Sequence, residues 1–283
     1  MRLIDSHAHL QSGPFETDRA TVVEAAFQAG IERLLVPGWD LGSSARAVEM
    51  ARADPRIDAA AGVHPHDASV CTDAEWAEVV HLAADPRVRA IGETGLDYDR
   101  MHSPREAQLA NLRRHLRLAL DTGKPAILHC RAAAGSRDAQ DELLAELRVA
   151  GFGGAVSTAA FGDRPPAVLH SFSGPLDYAE AALELGLAIS FSGLVFRGGE
   201  EASENVARLV PGERLLIETD SPYLAPPGVP RGSVPGFGGR RNSPPWVRVT
   251  GEWLAQQRGE SLDRIGADLV AAYDATFRSH SLG

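Results

Sequence analysis

Near its start the chain reads Leu3-Ile4-Asp5-Ser6-His7-Ala8-His9, and the architecture turns on how this stretch is understood. Leu3-Ile4-Asp5 reads as a short β-strand, since aliphatic runs suit the half-buried surface of a sheet. His7 and His9 stand two residues apart just beyond it. Residues i and i+2 of an extended segment point to the same face, so the pair can chelate one ion at a strand end. Two partly exposed polar residues in a turn would be written with the same letters. The rest of the chain separates these readings.

Outward from this stretch, short aliphatic runs alternate with longer amphipathic ones, the mark of repeated βα units and a parallel sheet. Strands are expected at Arg33-Leu34-Leu35-Val36, at residues 57–63, at Val88-Arg89-Ala90-Ile91, at Ala126-Ile127-Leu128, at Ala167-Val168-Leu169, at Leu187-Ala188-Ile189 and at Leu215-Leu216-Ile217. Helices are expected over 17–29, 73–84, 105–121 and 138–149. With Leu3-Ile4-Asp5 the count is about eight strands, the number that closes a (β/α)8 TIM barrel. A length of 283 residues suits one such α/β domain over 1–283. Gly30 and Gly123 stand where left-handed helix caps are expected, and Thr72 with Glu75 forms a capping-box pattern. The Gly-, Pro- and Arg-rich stretch 225–245 reads as a long loop after the eighth strand. Residues 246–277 are helical again.

Other good metal ligands fall in the same phase as the histidine pair. Glu93 follows the fourth strand, His129 ends the fifth, His170 ends the sixth and Asp220 follows the eighth. Active sites of TIM barrels are built at these C-terminal strand ends. His81, His102, His115 and His280 fall in helices, loops or the tail and read as solvated or locally satisfied. Six ligands, His7, His9, Glu93, His129, His170 and Asp220, exceed what one catalytic ion takes while leaving room for water. Two divalent ions about 3.5–4 Å apart and sharing a carboxylate fit better, with Glu93 as the shared group. Nitrogen and oxygen donors without thiolate suit Mg, Mn, Zn, Co or Ni.

Bulk properties narrow the class. The chain is 44% hydrophobic and 23% charged, as in a globular protein able to bury a core. No apolar run reaches the roughly 18 residues of a membrane span, and an acid and a histidine stand where a signal peptide would place its apolar segment. Only Cys71 and Cys130 are present, which argues against a disulfide framework and for the cytoplasm. The net charge of −10 argues against non-specific coating of nucleic acid, although metal ions and a local arginine cluster can reverse the sign at one mouth of the fold.

Six blocks in order, Asp5-Ser6-His7-Ala8-His9, Gly62-Val63-His64-Pro65, Gly92-Glu93-Thr94-Gly95-Leu96-Asp97, Ile127-Leu128-His129, His170-Ser171-Phe172-Ser173-Gly174 and Glu218-Thr219-Asp220-Ser221-Pro222-Tyr223-Leu224, resemble the signature blocks of the TatD family. That family comprises metal-dependent deoxyribonucleases among the amidohydrolase-like TIM barrels. The resemblance implies His7, His9 and Asp220 on one ion, His129 and His170 on the other, and Glu93 between them. It further implies a 3'–5' exonuclease whose substrate partner is DNA, as single strands or ends. Two departures stand out: residues 131–166 look longer than the usual fifth helix and could cover the mouth, and the Arg240-Arg241-Asn242-Ser243-Pro244 block is flanked by unusual glycine.

In the mechanism this suggests, the ions lower the pKa of a water and Asp220 takes its proton. His64, not needed in either metal shell, is the candidate to grip a phosphate, with His66 beside it. Arg241 and Asn242 are candidates to position phosphate or nucleotide, against solvated-loop readings for Arg231, Arg240 and Arg241. Tyr223 either stacks on a base or anchors the Pro222 turn. Asp97 is expected to orient a ligand histidine, Asp5 to lend similar support, and Cys130 to be core. Hydrolysis of a small phosphoester, lactone or amide, or of an aminoacyl-tRNA ester, is the alternative activity, because loops set the substrate of such barrels. A metal-binding scaffold without catalysis is a third reading.

Overall fold

A computed structural model of the chain describes residues 2–230 and 240–278; Arg231 and His280 lie outside the described residues. Eight strands, β1 (Leu3–Asp5), β2 (Ile31–Pro37), β3 (Ile57–Ala61), β4 (Val88–Asp97), β5 (Ala126–Arg131), β6 (Ala167–Leu169), β7 (Ala188–Phe191) and β8 (Leu215–Ile217), form one parallel sheet in chain order. The helices α1 (Arg19–Gln28), α2 (Leu41–Ala53), α3 (Asp73–Ala83), α4 (Arg105–Thr122), α5 (Asp138–Ala150), α6 (Ala155–Phe161), α7 (Leu176–Glu184), α8 (Ser203–Leu209), α9 (Val247–Arg258) and α10 (Leu262–Phe277) alternate with and follow them. The ring closes where β1 meets β8. Ser6 N–H donates to Ile217 O at 3.0 Å, Asp220 N–H to His7 O at 2.9 Å and His9 N–H to Ser221 O at 2.7 Å. Closure removes the sheet edges and fixes the β1 and β8 exits side by side. The expected TIM barrel is thus the observed one.

Leu34, Leu35, Ile91, Leu128, Ile189 and Leu216 are fully buried in the core. The helices supply the opposing layer: α10 buries Ile265, Leu269, Tyr273 and Phe277, an i, i+4 series along one face. Local signals hold at several boundaries. Thr72 and Glu75 make a reciprocal capping box at the start of α3, and Gly123 ends α4 in the left-handed conformation, φ 63°. α2 starts at a second box, Asp40 with Ser43. No helix among the described residues is long and apolar enough to cross a membrane.

Three boundaries differ from expectation. β3 stops at Ala61, short of Val63. β4 runs on to Asp97 where an end at Ile91 was expected. Its register against β5 shifts between Ile91 and Thr94, after which Thr94–Asp97 pair with Leu128–Arg131. Glycine permits that second approach, since a Cβ on Gly95 would lie 1.9 Å from His129 O. The sequence expectation failed here because Gly92 and Gly95 interrupt the aliphatic pattern that marks a strand.

The third difference concerns residues 131–166, expected to reshape the rim or cover the mouth. Most of the extra length is α6, between the end of α5 and the start of β6. A segment that follows a barrel helix and precedes a strand lies at the N-terminal end of the barrel, away from the ligands. Arg164 donates to Gly123 O at 3.0 Å there, at the end of α4, and Phe152 and Phe161 are buried with ring centroids 6.4 Å apart. Only the short connection after β5 borders the mouth.

Candidate metal centre

His7 and His9 leave β1 beside Asp220, which follows β8. The backbone bonds that close the barrel put Asp220 in the left-handed region, φ 52°, an unusual setting for a non-glycine residue that only surrounding structure can enforce. Asp5 secures the same junction. Its buried carboxylate accepts from Thr219 Oγ1 at 2.7 Å and Thr219 N at 2.9 Å. Burial raises its pKa to about 8, against the opposing pull of the Thr219 bonds. Asp5 therefore supports the site through the β8 exit and not through the imidazoles.

Glu93 enters from β4, across the mouth, and is almost wholly buried. Its two oxygens face different partners. Oε2 lies 3.2 Å from His7 Nε2 and 3.6 Å from His9 Nε2, while Oε1 lies 3.2 Å from His129 Nδ1 and 2.9 Å from His170 Nε2. Asp220 Oδ1 joins the first set, 3.4 Å from His9 Nε2 and 3.8 Å from His7 Nε2. Within the sets, His7 and His9 bring their Nε2 atoms to 3.2 Å, and His129 Nδ1 lies 3.3 Å from His170 Nε2. Burial opposes ionisation of Glu93, but the imidazoles around it outweigh that and hold its carboxyl well below the usual carboxylate range.

These separations test whether the residues fit divalent ions. Ligand atoms at about 2.0–2.2 Å from one ion lie roughly 3.0–3.5 Å from one another; the separations here run from 2.9 to 3.8 Å, close to that range. Ring nitrogens converging on other ring nitrogens around an ionised carboxylate also call for a shared cation, because their lone pairs repel without one. Three overlapping groups could each hold an ion: His7, His9 and Glu93; His7, His170 and Asp220; and His64, Glu93 and His129.

Hydrogen bonds behind the rings fix which nitrogen faces inward. His170 Nδ1–H donates to the buried Glu218 Oε1 at 3.0 Å, which turns Nε2 toward Glu93; burial opposes protonation of the ring, but Glu93 and Glu218 outweigh it and hold its pKa well above the usual imidazole range. His129 Nε2–H points to Asp97 Oδ2 at 3.3 Å, leaving Nδ1 inward. Carboxylates behind metal-binding imidazoles commonly set tautomer and basicity in this way. Asp97 also receives His66 Nε2–H at 2.7 Å and Arg100 N–H at 2.9 Å. Burial works against its ionisation, but the bonds from His129 and His66 hold it well below the usual carboxylate range.

His64 has the opposite polarity. Its Nδ1 accepts the backbone N–H of His66 at 3.1 Å, and burial lowers its pKa to about 3. The neutral ring must then carry its proton on Nε2, which stands 3.3 Å from Glu93 Oε1. An N–H there is a donor and not a metal ligand, so proximity alone does not make His64 part of either set. Its place is fixed from α4: His115 Nε2 accepts Val63 N–H at 2.9 Å and Asn111 Nδ2–H donates to Val63 O at 2.7 Å.

The remaining expected substrate residues divide. Tyr223 is half exposed, its ring centroid 6.0 Å from that of His9. Trp39, beyond β2, faces His9 from another side at 5.3 Å. His66 is turned to Asp97, and His102, expected to be solvated or locally satisfied, lies with its ring 4.3 Å from His66. Two of the expected substrate residues make contacts within the fold. Arg241 spends its guanidinium on Asp18 Oδ2 at 2.5 Å, Asp18 Oδ1 at 2.8 Å and Pro14 O at 2.6 Å, above the Phe15 ring. Asn242 is fully buried and donates to Thr219 O at 2.9 Å. Both pin the chain to the barrel where it returns from the loop after β8. Cys130 is half-buried beside Tyr178, and desolvation pushes its thiol up to about 12. Sequence reading missed Glu218, although its spacing of two from Asp220 repeats the His7–His9 signal.

Comparison with known proteins places this geometry. The family described as TatD related DNase matches residues 4–278. The 3'-5' ssDNA/RNA exonuclease TatD of Escherichia coli (strain K12) is 36% identical over 280 residues, covering 98% of each chain. An uncharacterized metal-dependent hydrolase of Bacillus subtilis (strain 168) is 32% identical, covering 94% of each. The crystal structure of a TatD homolog from Escherichia coli K12 superposes with a TM-score of 0.80 at 26% identity, covering 98% of each chain. The chain belongs to the TatD related DNase family of metal-dependent hydrolases.

Proposed function

We propose that this protein is a 3'–5' exonuclease acting on single-stranded DNA, with two divalent ions, Mg or Mn, held by the six ligands. The observation that carries the reading is the divided carboxylate of Glu93, one oxygen toward His7 and His9 and the other toward His129 and His170. When bound, such an ion pair supplies a water that ionises near neutral pH and positive charge for the phosphoryl oxygens. The chain's own residues do the rest. Asp220, on the first set and open on one side, takes the proton of the attacking water. His64 offers Nε2–H to a non-bridging oxygen, where negative charge grows as the phosphodiester is attacked. Asp97 and Glu218 keep His129 and His170 in the tautomers that leave their lone pairs inward. Tyr223 and Trp39 flank His9 and offer ring faces to the terminal base.

A metal-dependence series on defined single- and double-stranded oligonucleotides, with aryl phosphoesters and lactones alongside, tests substrate and cofactor together. Single-stranded DNA should be shortened from its 3' end with Mg or Mn and untouched after chelation. Glu93→Ala should lower kcat on the order of 10^3-fold while melting as a folded protein. Cleavage that survives this substitution, or turnover confined to lactones, overturns the reading.

A further inference from the structure

With Arg241 and Asn242 committed to the fold, the cation that meets a substrate backbone must come from elsewhere. Arg131 ends β5 two residues beyond His129. Alternation along a strand puts both side chains on one face, and a rise of about 3.3 Å per residue sets Arg131 about 6.6 Å further out along the mouth. That is comparable to the spacing between successive phosphates of a single strand. The backbone there is held, since Tyr98 N–H donates to Arg131 O at 2.8 Å. The guanidinium makes no ion pair or hydrogen bond among the described residues. Glu200, whose Oε1 accepts Ser173 Oγ–H at 2.8 Å, feels Arg131 only through its field. In a chain of net charge −10, an uncommitted, partly buried arginine beside the ligands is an unlikely accident of solubility, since guanidinium matches phosphate oxygens two at a time.

We propose that Arg131 grips the phosphate one nucleotide away from the scissile bond, which makes the site prefer a polynucleotide end over an isolated phosphodiester. The inference rests on the nuclease reading. Exposed Arg100, beyond β4 and near enough to act on Tyr223, sits on the adjoining rim and extends the same positive margin.

The experiment compares kcat/KM for a single-stranded DNA oligonucleotide with that for bis(p-nitrophenyl) phosphate, which has no second phosphate. In Arg131→Ala the ratio of the two should fall about 10- to 100-fold, the range for a hydrogen-bonded charged contact, chiefly through KM on the oligonucleotide. The slope of log kcat/KM against log salt should become shallower by about 0.7. Arg131→Lys, which keeps the charge without the fork, should fall between, and compared with Arg131→Gln it serves if the alanine variant does not fold. An unchanged ratio and slope in folded variants overturns the assignment while leaving the nuclease reading intact. Wild-type protein that cuts the aryl diester but not the oligonucleotide overturns both.

Discussion

His170 Nδ1 lies 3.0 Å from Glu218 Oε1, so a fully buried carboxylate accepts the Nδ1–H of the imidazole and turns the other nitrogen toward Glu93. Glu218 stands two residues before Asp220, and one strand exit thus serves both proposed sets of ligands, directly through Asp220 and indirectly through Glu218. With Asp97 behind His129, both histidines of the second set are backed by carboxylates. His7 Nδ1 and His9 Nδ1 have no such partner.

Glu218→Gln keeps the shape but loses the charge behind His170. Divalent-metal affinity should weaken about 10- to 100-fold, read by isothermal titration of metal-free protein. Melting of the metal-free form should change little by comparison. Equal affinity in the variant and the wild type would remove the positioning role.

His115 gives the stability an acid limb. Its ring is buried and accepts Val63 N–H, and burial lowers its pKa from an ordinary 6.5 to about 3. Between these values the unfolded chain binds the proton and the folded chain does not, so stability is complete above pH 6.5 and lost as pH falls toward 3. The loss is on the order of 3–5 kcal/mol. In His115→Gln the amide oxygen can accept the same N–H without titrating. Urea midpoints measured from pH 7 to pH 3.5 should therefore fall less steeply in the variant; parallel curves would contradict the assignment.

Arg241 and Asn242 should behave as fold residues. Asn242→Ala leaves Thr219 O buried without its donor, at a cost of about 1–3 kcal/mol visible as a lower Tm. Arg241→Ala should leave the salt dependence of oligonucleotide cleavage unchanged, because its guanidinium is already neutralised by Asp18. A shallower salt slope in that variant would return Arg241 to the substrate.

Several of these assignments could be read without coordinates. The βα alternation, the eight aliphatic runs and the phase of His7, His9, Glu93, His129, His170 and Asp220 at strand ends are local properties of the chain, because strand period and strand-end position are set over a few residues. What escaped was set by partners distant in sequence. The extension of β4 depends on how closely Gly95 approaches β5, and the place of α6 depends on which end of the barrel a connection returns to. Arg241 and Asn242 looked like a phosphate clamp because a charge in a loop carries no record of Asp18 or Thr219.

The stretch Leu3 to His9 specifies a strand followed by two histidines on one face, since alternation is a rule of extended backbone. Only the tertiary structure decided which nitrogen of each ring faces inward. Tautomer is set by hydrogen-bond partners such as Glu218, Asp97 and the His66 backbone amide, and barrel closure brings most of them together from other strands. That is why His64 and His129, both within 3.3 Å of Glu93 Oε1, have opposite roles, one a donor of N–H and the other of a lone pair.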